Sequence, residues 1–277
     1  MSDTGIPDEV IAHYTEQVDE DLRLREGMGA LELLRTQEII RRHLPDDSLR
    51  ILDVGGGSGV HAEWLLADGH QVHLIDPVAS HVEQAAERLG GSKGFSSEVG
   101  DARHIGGDAH TYDAVLLLGP LYHLTESSDR VAAWSEARRV VTHEGHVFAA
   151  TITRFAPLFD GLTSGSLFDP RFRAIAEQDV ASGQHRNPTA ESGWFTTAYF
   201  HHPDELVEEA AGAGLRVIEL VGVEGMAGWV PDLDKRWEDP DDRETILFSA
   251  RAIESEPTLR GLSTHLMAVA THAHGHR

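Results

Sequence analysis

Three aspartates stand close behind short apolar runs, and the first leads into a run of glycine: Ile51-Leu52-Asp53-Val54-Gly55-Gly56-Gly57-Ser58-Gly59. A buried strand that runs into four glycines lets the backbone turn tightly and lets a ligand approach it closely. A helix starting near Val60 adds a positive dipole end that suits an anionic group. Twenty-one residues beyond Gly55, the run His73-Leu74-Ile75-Asp76-Pro77 ends in a second carboxylate, which can accept hydrogen bonds from both hydroxyls of a ribose. The third is in Gly100-Asp101-Ala102. Any one of these aspartates would pass as a loop cap. Three in register after three successive strands read as one edge that holds a nucleotide-like ligand.

The spacing of the glycines discriminates between ligands. A dinucleotide fingerprint needs glycine at its first, third and sixth places; Gly55 and Gly57 satisfy two, and Val60 occupies the last. An NAD(P)-dependent oxidoreductase is therefore the weaker alternative. The run Asp53-x-Gly55-x-Gly57-x-Gly59 instead resembles motif I of the class I S-adenosylmethionine-dependent methyltransferases, whose loop wraps the methionine part of the cofactor. The resemblance covers roughly Leu49 to Phe148, with support from Leu215–Val223 and Leu266–Ala270. It implies S-adenosyl-L-methionine as cofactor, with Asp53, Gly55, Gly57 and Gly59 at the methionine part and Asp76 with Pro77 at the ribose. It places Asp101 and Ala102 at the adenine, Leu118 at the end of the fourth strand, and Tyr14 and Arg25 in a covering N-terminal segment. A non-catalytic S-adenosylmethionine-binding protein is a further alternative.

The acceptor side follows from what comes next. Leu118-Gly119-Pro120-Leu121-Tyr122-His123 stands where amino-directed nucleic-acid methyltransferases carry an Asp/Asn-Pro-Pro-aromatic signature, and here the acid or amide is missing. The segment looks more like small-molecule methyltransferases of actinobacterial secondary metabolism. The stretches around Thr153-Arg154-Phe155, Gly183 to Asn187, Trp194 to Pro203 and Val223-Glu224-Gly225 resemble the same group. These stretches are rich in Arg, His and aromatic rings, and Tyr122, Arg154, Phe155, His185, Trp194, Phe195 and Tyr199 are read as contacts for a small aromatic or heterocyclic acceptor. The acceptor atom is O, N or C, with an indole or pyrroloindole carbon as one candidate. Methyl transfer is an in-line displacement from an activated donor, so the protein mainly positions the acceptor and, where needed, takes a proton. His123, His201 and Glu224 are the candidate bases. No unambiguous metal set is found, with Asp101, Asp169 and Asn187 left open as oxygen donors, and the His272-Ala273-His274-Gly275-His276 tail is given no role.

These residues need a scaffold. Apolar positions at helical spacing between Asp8 and His43 predict two helices, and Arg50 to Val54 predicts the first core strand. Helices at Val60–Ala67 and Ala79–Leu89 then alternate with strands at Gln71–Ile75, Phe95–Val99, Ala114–Leu118 and His146–Thr153, with a crossing helix at Asp129–Val140. That alternation predicts an α/β fold: a doubly wound, mostly parallel seven-stranded sheet of Rossmann-like methyltransferase type. The pattern breaks from Arg154 to Phe200, which is read as a lid. It resumes with a helix at Pro203–Ala213, a strand at Leu215–Val223, a helix at Asp242–Glu254 and a last edge strand over Leu266–Ala270. The implied organisation is a helical cover over 1–48, a cofactor-binding core over 49–153, a substrate lid over 154–202, and completion of the sheet over 203–277.

Composition narrows the partners. Lys and Arg number 23 against 46 Asp and Glu, a formal charge of −23, which repels a polyanion and argues against generic nucleic-acid binding. With no cysteine there is no disulfide, thiolate metal site or cysteine nucleophile. No apolar run approaches the ~20 residues that span a bilayer, and the N-terminus lacks a secretory pattern. The expectation is a cytoplasmic enzyme with a small-molecule substrate and no membrane partner; a homodimer could bury the apolar surface of the N-terminal helices and the lid.

Overall fold

The computed structural model describes residues 23–24, 27–188 and 193–273. The elements are α1 (Gly27–Arg41), β1 (Arg50–Val54), α2 (Val60–Ala67), β2 (Gln71–Asp76), α3 (Ala79–Leu89), β3 (Phe95–Val99), β4 (Tyr112–Leu117), the single turn α4 (Pro120–His123) and α5 (Ser127–Val140). They continue with β5 (Val141–Ile152), α6 (Ala156–Ser164), α7 (Pro170–Ser182), β6 (Gln184–His185), β7 (Ala198–Tyr199), α8 (Pro203–Gly212), β8 (Leu215–Gly222), α9 (Leu233–Glu238), α10 (Pro240–Ile253) and β9 (His265–His272). Seven strands form one sheet in the order β3-β2-β1-β4-β5-β9-β8, parallel from β3 to β5 and antiparallel at β9 and β8.

Strands β1 and β4 are apolar and buried because helices cover both faces of the sheet. Alternate residues of β1 point to opposite faces. Leu52 and Val54 pack with Trp134, Ala137 and Leu206, while Ile51 packs with Ile39, Ile40, Leu65 and Phe148. Helix α5 presents Arg130, Ala133, Trp134, Ala137 and Val140 inward, a stripe at helical spacing.

One sequence expectation is corrected. Leu266–Ala270 is not an edge strand: β9 lies between β5 and β8, and β8 is the edge. Its run Leu266 to Ala270 is buried throughout, which suits a position covered on both sides, whereas Arg216, Val217, Ile218 and Glu219 of β8 are exposed or half-buried. The break from Arg154 to Phe200 is also more regular than its sequence suggests, since α6 and α7 and a two-stranded ribbon of β6 and β7 fill it. Helix α7 starts at Asp169-Pro170, where the Asp169 carboxylate accepts from the Arg171 amide. Among the described residues, no helix is long and apolar enough to cross a membrane.

Candidate functional site

The carboxyl ends of β1, β2 and β4 open onto a cleft with about 1140 Å³ of free space, its open mouth included. Its floor is the glycine loop. Gly55 and Gly57 take φ of +69° and +54°, values an L-side chain resists, and the amides of Gly55 and Gly56 both reach the Ile75 carbonyl. At Gly56 a Cβ would sit 2.7 Å from Asp53 Oδ2 and 2.7 Å from Leu74, so only glycine fits against that carboxylate. Gly59 caps α2 at φ +87° and packs toward Leu89 rather than lining the cleft.

Among the described residues, four carboxylates line this cleft: Asp53, Asp76, Asp101 and Glu32. Asp53 is 1% exposed and its Oδ2 has no hydrogen-bond partner among the described residues. Burial, reinforced by the negative charge of Asp76, raises its carboxyl to about 7. Asp76 is the hub of the loop: Oδ2 accepts from the Gly57 amide at 2.9 Å, Oδ1 accepts from the Val78 amide at 2.9 Å, and His81 Nδ1 lies 3.2 Å from Oδ1. Asp101 is clamped by Arg103, whose Nη2 donates to Oδ2 at 2.6 Å. Burial alone would raise the Asp101 carboxyl, but the bonds to Arg103 hold it below the usual range. Pro77, Ala102, Leu118, Tyr122 and His123, all named from the sequence, also line the cleft.

The helical cover expected over 1–48 supplies a wall of the cleft through α1 and the residues before it, but by side chains that sequence reasoning did not single out. Arg23 donates to Glu32 at 2.8 Å, and both line the cleft beside His61. Behind Glu32 lies His265, whose Nδ1 is 2.5 Å from Glu224 and 3.8 Å from Glu32. Burial would lower His265, but Glu32 and Glu224 carry it up to about 9; burial would raise Glu32, but His265 and Arg23 bring it down to about 2. The group is thus an ion-paired cation between two carboxylates. Burial pushes His61 down to about 4, so its imidazole is neutral at pH 7. His61 follows directly on the glycine loop and was findable there, whereas nothing in the pattern of α1 marks Glu32.

The remaining sequence candidates divide by location. Phe195 stands against the cleft wall, its ring 6.2 Å from His123 and 6.4 Å from Tyr122. His201 and Glu224 are fully buried, and neither lines the cleft. His201 Nε2 meets Glu209 at 3.2 Å, and burial lowers its pKa. Glu224 accepts from the Ser263 hydroxyl and the His265 amide. Arg154 and Tyr199 both bond Glu205 at the start of α8. His185 is held by Asp179 at 2.9 Å, Trp194 packs edge-on against Phe172, and Phe155 packs on His202. These side chains build the 154–202 segment and its seat on the sheet, and among them Phe195 packs against the cleft-lining Tyr122 and His123. Tyr14 and Arg25 lie outside the described residues.

A family model described as a methyltransferase domain matches residues 51–145. A ubiquinone biosynthesis O-methyltransferase of Methylocella silvestris is 36% identical over 182 residues, which are 65% of this chain and 62% of that protein. Another of the same name, from Azorhizobium caulinodans, is 26% identical over 202 residues, 68% of this chain and 70% of that protein. The chain thus spans less than two thirds of the length of the first of these relatives. A chain in the complex between the Haloferax volcanii Trm112 methyltransferase activator and a methyltransferase superposes with a TM-score of 0.61 at 18% identity, covering 98% of this chain and 99% of that one. The CcbJ methyltransferase of Streptomyces caelestis gives 0.58 at 14% identity, covering 96% and 97%. At these identities the structural likeness is one of fold.

Proposed function

We propose that this chain, which carries a methyltransferase domain over residues 51–145 and takes S-adenosylmethionine as its cofactor, methylates a hydroxyl group of a small aromatic compound. The observation that carries this reading is the buried Asp53 carboxylate, orphaned at Oδ2 on the floor of a glycine cradle ringed by further carboxylates. An unpaired buried acid is costly and is relieved by a cation. S-adenosylmethionine brings an ammonium and a methyl-bearing sulfonium, and a dinucleotide brings the opposite charge. Asp53 and Arg23 would hold the methionine end, Asp76 the ribose diol, and Asp101 with Ala102 the adenine. When bound, the cofactor supplies an electrophilic methyl group; the chain supplies position and, at the acceptor, a proton acceptor.

For the acceptor, Tyr122, His123 and Phe195 offer a flat aromatic wall, and the O-methyltransferase names of the curated relatives favour an oxygen over an indole carbon. Those relatives are named for ubiquinone biosynthesis, so the likeness of the lid to actinobacterial secondary-metabolism enzymes does not choose the substrate. His123 is the candidate base that lines the cleft, positioned by its place at the end of α4. His123→Ala is expected to lower kcat by about a hundredfold or more while leaving the Kd for S-adenosylmethionine within a few-fold, measured with a catechol or phenol acceptor panel. Undiminished kcat would leave proximity alone as the source of catalysis.

The cofactor test is calorimetric titration with S-adenosylmethionine, its demethylated product and a nicotinamide dinucleotide. Micromolar binding of the first two alone supports the reading, and dinucleotide binding alone overturns it. Because Asp53 titrates at about 7 in the ligand-free protein, a bound cation draws its proton off. Binding of S-adenosylmethionine at pH 6 should therefore release close to one proton, and binding at pH 8 almost none. The same group destabilises the ligand-free protein as pH rises: raised above its ordinary 3.8, it favours folding below about pH 4, and that contribution is lost as pH climbs through about 7. Asp53→Asn should flatten both profiles, read by titration in buffers of differing ionisation enthalpy and by thermal unfolding.

A further inference from the structure

We propose that His110, His143 and His272 form a binding site for a divalent transition-metal ion of the zinc type, at the end of the sheet opposite the cleft. The three imidazoles come from separate segments: the turn before β4, the start of β5 and the end of β9. Because β9 runs antiparallel to β5, its last residue returns to the amino-terminal end of β5, where β4 also begins. Their ring centroids lie 4.1 Å apart for His110 and His143, 5.1 Å for His143 and His272, and 5.7 Å for His110 and His272. One ligating nitrogen from each falls within 4.8 Å of the others.

Two of the rings are also fixed on a backbone carbonyl. His110 Nδ1 donates to the Val141 carbonyl at 3.0 Å, and His272 Nε2 meets the same oxygen at 3.4 Å. A ring proton fixed on a carbonyl leaves the other nitrogen with its lone pair, the arrangement that orients metal-bound histidines. His110 also sits at φ +55°, an uncommon value for a non-glycine residue, pinned by its amide to the Arg139 carbonyl. Imidazole donors favour Zn²⁺, Ni²⁺ or Cu²⁺ over Mg²⁺ or Ca²⁺. His110 and His143 are exposed and can swing inward to zinc's bond length of roughly 2.0–2.1 Å, with water completing the shell. The bound ion would tie the last strand of the sheet to β5 and to the turn before β4, away from the cofactor.

The test is titration of untagged, chelator-stripped full-length protein with zinc chloride, with magnesium chloride as the control. One zinc per chain is expected, with an unfolding midpoint raised by about 5 °C or more at a hundredfold excess over Kd. His143→Ala removes an exposed ring, and His110→Asn keeps a residue that tolerates positive φ; each should weaken zinc binding by at least roughly tenfold and cancel the thermal shift. The double variant His274→Ala/His276→Ala should retain both. Zinc binding unchanged in His143→Ala and His110→Asn, or lost in the tail variant alone, would overturn the proposal.

Discussion

Replacing Arg130 with alanine is expected to destabilise the protein by about 3–5 kcal/mol, the loss seen when one partner of a buried ion pair is removed. Arg130 is 2% exposed on α5, and its Nε donates to Glu209 of α8 at 2.7 Å. Nη1 donates to the carbonyls of Leu124 and Thr125, each at 2.9 Å, which anchors the turn after α4 and hence His123. The guanidinium also lies 3.6 Å from the centre of the Tyr199 ring. Alanine would leave Glu209 charged beside His201 with no cation, and would open the seat of the β6–β7 ribbon. Thermal and urea unfolding would measure the loss. Arg130→Met, which keeps the volume, should recover little, because the uncompensated carboxylate is the main cost. A loss below about 1 kcal/mol would mean that water reaches Glu209 and that the pair is worth no more than a surface one.

Asp76→Ala is expected to weaken S-adenosylmethionine binding by roughly 10- to 150-fold, the range of about 1.5–3 kcal/mol for hydrogen bonds to a charged group. The aspartate acts twice. In the proposed reading it offers a carboxylate to the ribose diol, and it holds the glycine loop through the amides of Gly57 and Val78. Asp76→Asn should fall between the wild type and alanine, since its single oxygen can serve one of those amides. Asp76 also contributes to raising Asp53, so its removal should lower the pH at which S-adenosylmethionine binding stops releasing a proton. Calorimetric Kd values across pH separate the two effects: a change in Kd with an unchanged proton count would assign Asp76 to the ribose and loop alone.

The glycine loop and its carboxylates were legible because local sequence dictates them. A strand that ends in Asp53 and four glycines can turn only one way, and the aspartates at 76 and 101 are placed by the alternation of strand and helix that precedes them. The acceptor side was not legible in the same way. His201 and Glu224 read as bases from their neighbours in sequence, yet each is enclosed by partners brought from 8 to 41 positions away, Glu209 for one and Ser263 with His265 for the other. Glu32 had no signal, since a single acid on an amphipathic helix has no spacing to betray it. The helix that starts at Asp169-Pro170 could have been suspected, but the aromatic residues around it follow no strand period.

Local rules therefore determined the sheet, the glycine loop and the three carboxylates, because burial periodicity and turn chemistry act over a few residues. The tertiary structure decided the order of the last two strands, because a fully apolar run is most stable when covered on both sides, and the wall of the cleft, because α1 returns to it from outside the motif. The meeting of His110, His143 and His272 was decided in the same way: an antiparallel final strand carries the end of the sheet back to where its fourth and fifth strands begin.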